Sequence, residues 1–259
     1  MEAEVPTDEP AEKTPTLELA QLWLLRHGQS EGNVARDAAR GTDSETLDIA
    51  DRDMDVPLSE LGREQARSFG EWLAGQPRDV RPEVVLASPY RRAAETATIV
   101  AQRAVARDAV HLDERLRERE LGVLDLLTQR GIVARFPDEA KRRRRLGKFY
   151  YRPPGGESWV DVAFRLRSLR DSLVREHADR RVLLVAHEVP IILMRYLLEE
   201  LDEQQALRLS SEDPMPNCGL TTYRQTGGRL TLDRCGWTAP LELADTAVTD
   251  EPDAQIGSR

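Results

Sequence analysis

Cysteine is scarce in this chain: Cys218 and Cys235 are the two present, and neither stands in a Cys-x-x-Cys pair or at a zinc-like spacing from histidine. A disulfide framework and a structural zinc site are therefore not expected, and both thiols should be reduced. No apolar run approaches the roughly 18 residues of a membrane span, and the first residues lack the basic start and apolar stretch of a signal peptide. The cytoplasm is the expected compartment. Basic charge is not in surplus either, since 37 Lys and Arg face 46 Asp and Glu for a formal net charge of −9. No internal repeat is visible.

The acidity is concentrated at the ends. Residues 1–20 carry six acidic groups against Lys13, and residues 242–259 carry five against Arg259, which leaves 35 basic and 35 acidic residues between them. Both ends are apolar-poor and contain proline, so an acidic leader over 1–20 and an acidic tail over 241–259 are expected to be disordered. The intervening 21–240 suits one domain with one core, and its neutral balance leaves room for a locally basic pocket that binds an anion.

Leu22 to Leu25 is a continuous apolar run that stops at Arg26-His27-Gly28, which reads as a buried strand ending in a loop. A polar helix is expected from about Ser30, then a long surface loop over 41–55. Ser59 suits an N-cap for a helix over 59–74, and Val84 to Ala87 reads as a second buried strand. A helix from Ser88 to about Ala104 follows, with Pro89 in its first turn. Val110 to Leu112 is a weaker strand, and 126–148 reads as one increasingly basic helix ending in the core-packing Phe149-Tyr150-Tyr151. Beyond Pro153-Pro154-Gly155-Gly156, Ser158 and Asp161 form a capping box for a helix to about Glu176. Val182 to Ala186 is a buried strand ending at His187, with a buried helix over 190–198. Leu220 to Tyr223 and Leu230 to Leu232 flank Gly227-Gly228 as a hairpin. Strands alternating with helices predict an α/β fold: a three-layer sandwich, with a mostly parallel sheet and helices on both faces.

Open parallel sheets bind ligands at the carboxyl ends of their strands. Three of these strands end in groups that suit a phosphate: Arg26-His27, then Arg91-Arg92 in the helical turn after the second strand, then His187. Each alone has an ordinary explanation, because strand-end histidines are often structural and surface arginines usually just solvate. Their convergence points to an anionic substrate.

Arg26-His27-Gly28-Gln29-Ser30-Glu31-Gly32-Asn33 resembles the signature of the histidine phosphatase (phosphoglycerate-mutase-like) superfamily, with Ser and Asn three and six residues after the histidine. Ser88 to Ala97 resembles its second block, and that alignment selects Arg92 over Arg91. Leu116 to Gly122 is similar to the acid-bearing segment. It nominates Glu118, where the residues by themselves do not choose among Asp113, Glu114, Glu118 and Glu120. Val185-Ala186-His187 resembles the second-histidine block, and the four blocks stand in family order over about residues 21–235.

The resemblance implies hydrolysis of a small phosphate monoester through a phosphohistidine on His27. Arg26, Arg92 and His187 would hold the phosphoryl oxygens, with Asn33, Ser30 and Arg119 as further phosphate contacts, and Glu118 would serve the leaving group. Neither a metal nor another cofactor is implied. The expected partner is a small phosphorylated metabolite; membrane and nucleic acid are not expected, and a homodimer is compatible with the sequence. Phosphoglycerate mutase-type transfer is the nearest alternative, although only 69 positions separate Glu118 from His187, which leaves little room for the long insertion of such mutases. A non-catalytic phosphoester-binding protein is the other alternative. Two features stand apart from the pattern. Glu188 follows His187 where the family often has Gly, and it is expected to point outward. The run Lys141-Arg142-Arg143-Arg144-Arg145 reads either as a solvated face or as a cap that binds a second anionic group of the substrate.

Overall fold

The computed structural model describes residues 18–105, 110–212 and 214–250. Among these, six strands form one sheet: β1 (Gln21–Arg26), β2 (Val84–Ala87), β3 (Val110–Leu112), β4 (Arg181–Ala186), β5 (Leu220–Thr226) and β6 (Arg229–Trp237), in the order β3-β2-β4-β1-β5-β6. The first four run parallel, while β5 pairs antiparallel with β1 and β6 with β5. β1 is buried along its whole length, as an apolar run inside a parallel sheet requires.

Side chains alternate across β1. Leu22 and Leu24 join a core built with α6 (Trp159–His177), α7 (Glu188–Leu198) and α8 (Glu203–Glu212). Trp23 and Leu25 join the opposite core, with α2 (Glu60–Ala74), α3 (Arg91–Ala104) and α9 (Ala239–Leu243). The expected three-layer α/β sandwich is therefore what forms. α6 begins where expected, with Ser158 and Asp161 completing a capping box. Trp159 behind it is fully buried, and truncating such a residue to Ala costs about 3–5 kcal/mol.

Other elements differ from expectation. The single helix over 126–148 is two, α4 (Gln129–Arg135) and α5 (Pro137–Tyr150), because the residue before a proline is driven out of the helical region and Phe136 sits at φ −132, ψ 57. α5 itself turns at Gly147, whose φ of 80 suits glycine, and this brings Phe149 into the core while Tyr150 stays exposed. α3 begins at Arg91, so Ser88 and Pro89 precede the helix and do not open it. α8 and α9 were not expected. α1 (Glu31–Ala39) starts behind Ser30 as read.

Most of the leader (1–17) and residues 251–259 of the tail lie outside the described residues. The expectation of disorder is corrected for 241–250 and for the last leader residues. Leu19 and Leu241 are buried, Gln65 Nε2 donates to the Ala247 carbonyl at 2.9 Å, and Asn217 N–H donates to the Thr249 carbonyl at 2.8 Å. These anchors lie far away in sequence, so local composition does not reveal them.

Candidate active site

The strand register brings the sequence motifs together. Arg26 pairs with Ala186 and Ala87 with Val185, so β1, β4 and β2 end at the same level. His27 N–H donates to the Ala186 carbonyl and Ser88 N–H to the Val185 carbonyl, both at 3.0 Å. His27, His187 and Ser88 thus leave the sheet side by side. Gly28 permits this, since a Cβ there would stand 2.4 Å from the Gly62 carbonyl oxygen at the start of α2.

The His27 ring is fully buried, with Nδ1 2.7 Å from the Gly28 carbonyl oxygen. A carbonyl only accepts, so Nδ1 carries the proton and Nε2 the lone pair. The His187 ring is centred 5.0 Å away, edge-on, and its Nε2 lies 2.8 Å from Ser88 Oγ. Tyr90 also packs edge-on against His187, with ring centroids 5.3 Å apart. Arg26 is also fully buried, and its Nη1 donates to the Met215 carbonyl.

The two arginines that open α3 part company. Arg91 lies at the surface and pairs with Glu95 at 2.9 Å, one helical turn on. Arg92 is buried against the Tyr90 ring, 5.2 Å from its centroid, and its guanidinium bonds to both the carbonyl and the carboxylate of Asp53. Tyr90 in turn donates its hydroxyl to Glu120. Burial and that bond push the phenol well above its ordinary range.

Arg92, Glu118 and Arg119 line one small cavity, with Arg36, Asp53, Glu120 and Asp125 around it. Of the four acidic candidates, Asp113 is held by Arg115 at 2.7 Å, Glu114 is exposed, and Glu120 is engaged by Tyr90. Glu118 is buried and also lines a second cavity next to the first. One of its oxygens accepts the Arg119 N–H at 2.7 Å. Asp125 has its carboxyl raised by burial and by the nearby Asp53 and Glu120. Arg119 is held by the Glu157 and Tyr151 carbonyls at 2.6 and 3.0 Å, and burial pulls its pKa down to about 10, still fully charged at neutral pH. Wider clefts lie beside α1 and between α6, α7 and β6, and neither is lined by histidine.

Three expectations need correction or division. Ser30 was expected to contact phosphate, but its hydroxyl has one proton and gives it to Asn33 Oδ1 at 2.8 Å, while accepting Asn33 N–H at 3.1 Å. Ser30 is the N-cap of α1, and the capping box uses the carbonyl end of the Asn33 side chain. Glu188 does not point outward; at 2% exposure it lines the second cavity with Glu118, Arg119 and Lys148. The basic run divides. Lys141 and Arg142 pair at the surface with Asp138 and Glu139, Arg144 and Arg145 are exposed, and Arg143 alone is buried. Burial and the neighbouring Arg119 hold Arg143 at about 10. Sequence reasoning did not single out Asp53 or Tyr90, and it placed Lys148 only beside the basic run; the position of Tyr90, two residues ahead of Arg92, offered a signal.

The model of the histidine phosphatase superfamily, branch 1, matches residues 22–238. Over 225 residues the chain is 31% identical to 2,3-bisphosphoglycerate-dependent phosphoglycerate mutase 2 of Gloeobacter violaceus, covering 86% of this chain and 95% of that one. Over 175 residues it is 36% identical to glucosyl-3-phosphoglycerate phosphatase of Mycobacterium tuberculosis, covering 64% of this chain and 70% of that protein. The solved structure of the mycobacterial glucosyl-3-phosphoglycerate phosphatase with inorganic phosphate superposes with a TM-score of 0.65 at 31% identity, over 85% of this chain and 99% of that one. With a family match across most of its length and two histidines meeting at the ends of adjacent parallel strands, this chain belongs to the histidine phosphatase superfamily, branch 1.

Proposed function

We propose that the protein is a metal-independent cytoplasmic phosphatase that hydrolyses small phosphate monoesters through a phosphohistidine on His27. The observation that carries this reading is the bond from His27 Nδ1 to the Gly28 carbonyl, which supports Nε2 as the nucleophilic nitrogen in a pocket with a second imidazole. Nε2 attacks phosphorus, the N–P bond forms as the bond to the leaving oxygen breaks, and Glu118 gives its proton to that oxygen. Water then attacks phosphorus, the Glu118 carboxylate takes a proton from it, and the N–P bond breaks to restore neutral His27. Arg26, Arg92, His187 and the Asn33 amide hold the nonbridging oxygens, each charge-assisted bond contributing about 1.5–3 kcal/mol. These cations and donors take the place that a metal ion fills in other phosphoryl-transfer sites.

Glucosyl-3-phosphoglycerate and the phosphoglycerates are the first substrates to test, because phosphatase and mutase relatives are named for them. A phosphate-release screen over sugar phosphates, phosphoglycerates and nucleotides, run with and without chelator, tests the reading. Release that persists in chelator supports it, and release abolished by chelator and restored by a divalent metal contradicts it. The identity to a mutase favours one second reading, in which the phosphoryl group returns to a phosphoglycerate. An enolase-coupled assay separates the two: isomerisation that depends on 2,3-bisphosphoglycerate and outruns phosphate release would make the enzyme a mutase, with His27 keeping its role.

A further inference from the structure

Glu188 opens α7 directly after His187 and is buried. A helix N-terminus favours a carboxylate, but a buried charge persists only with a partner. Lys148 lines the same cavity and carries the opposite charge. The turn at Gly147 brings it inward from α5, so that Nζ donates to Ser210 Oγ at 2.8 Å and lies 5.0 Å from the centre of the Trp159 ring. Burial holds the Lys148 amine down to about 8, and the charge of Glu188 acts in the opposite direction. The cavity that Lys148 and Glu188 share is also lined by Glu118.

We propose that Glu188 is a positioning residue for the acid–base step: its carboxylate, with Lys148 as counter-ion, holds Glu118 in the protonated form that donates to the leaving group. This rests on the phosphatase reading above. The charges around Glu118 otherwise oppose protonation. Arg119 adjoins it in sequence, Arg92 of α3 and Arg36 of α1 share its cavity, and Arg165 of α6 donates to its main-chain carbonyl at 3.2 Å. On the substrate side, Asp53 is neutralised by Arg92 and Glu120 is bonded by Tyr90, leaving Asp125 in the same cavity. Glu188 supplies negative charge from α7, in the second cavity that Glu118 also lines. No proton leaves Glu188 or Lys148 during turnover; Glu118 gives one to the leaving oxygen and recovers one from water.

The test is the pH profile of kcat/KM for β-glycerophosphate, whose leaving alkoxide needs a proton, and for p-nitrophenyl phosphate, whose leaving group needs little. Removing the negative charge in Glu188→Gln should move the limb on which β-glycerophosphate activity falls with rising pH down by about one unit, and p-nitrophenyl phosphate should lose less than about two-fold. Lys148→Met should move the same limb up, the double variant should place it between Glu188→Gln and the wild type, and Glu188→Asp should preserve it. Equal losses on both substrates, or a limb that stays in place in Glu188→Gln and Lys148→Met, would overturn the proposal in favour of a purely structural ion pair. If Glu188→Gln fails to fold, the opposite shift in Lys148→Met decides. Glu118→Gln run alongside separates the two levels. If it shows no leaving-group dependence, the acid assignment itself fails and the proposal with it; if it shows that dependence while the limb is unmoved, the proposal alone fails.

Discussion

Asp53 holds the guanidinium of Arg92 by two atoms, its carbonyl oxygen at 2.6 Å from Nη1 and its carboxylate at 3.0 Å from Nη2. An arginine has five N–H donors, and a fork fixed at one end presents the others in a set direction. Asp53 lies in the long loop over 41–55, which is itself fastened to the segment after Glu118 by the Leu47 N–H bond to the Leu126 carbonyl at 2.9 Å.

Asp53→Ala should therefore raise KM for p-nitrophenyl phosphate by about three- to ten-fold and leave kcat within about two-fold, the pattern of lost binding without lost chemistry. Steady-state kinetics check it. A lower KM would show instead that the carboxylate competes with phosphate for Arg92.

The division of the basic run gives a second prediction. Arg144→Ala with Arg145→Ala should leave all substrates within about two-fold, because exposed charges of this kind contribute little. Arg143→Met should raise KM for substrates with a second anionic group and spare p-nitrophenyl phosphate. Kinetics on 3-phosphoglycerate and p-nitrophenyl phosphate would show it. Equal effects from all three positions would return the run to a diffuse electrostatic role.

The residues legible in the sequence were those whose neighbours were local or whose burial was continuous. Leu22 to Leu25 and Val182 to Ala186 announce buried strands, and each ends in a histidine that the sheet register then brings to the same edge. The Ser158–Asp161 box is a contact over three residues and was read directly. Ser30 and Asn33 form the same kind of contact at the same spacing, where a phosphate-binding motif and a capping box share the same residues. The break at Phe136-Pro137 is also written locally, since the proline bars Phe136 from the helical region. The inward turn of Glu188 is not legible, because the cavity it lines is completed by Glu118 and Lys148, 70 and 40 positions earlier in the chain. Asp53 and the packing of 241–250 depend likewise on contacts remote in the chain.

The α6 cap provides a prediction on stability. Burial raises the Asp161 carboxyl, but bonds from Arg152 and Ser158 outweigh it and hold the group at about 2, below its ordinary 3.8. The ionised form thus favours the folded state, a contribution complete above the unfolded value and lost as pH falls through about 2. The carboxylate is partly exposed and its Arg152 partner lies at the surface, so its effect is modest. Asp161→Asn should destabilise the protein at neutral pH by about 0.5–1 kcal/mol, and its unfolding should depend less on pH between 4 and 2. Urea unfolding of both proteins across that range measures it; identical pH slopes would remove Asp161 from the account.

The most direct test of the mechanism is to trap the phosphoenzyme. Rapid quench of the wild-type protein with a radiolabelled phosphate monoester should yield label that is acid-labile and base-stable, as a phosphoramidate is. His27→Ala should carry none and should lose about three orders of magnitude or more in kcat/KM. Label that persists in His27→Ala, or turnover near the wild-type rate in that variant, would contradict His27 as the nucleophile.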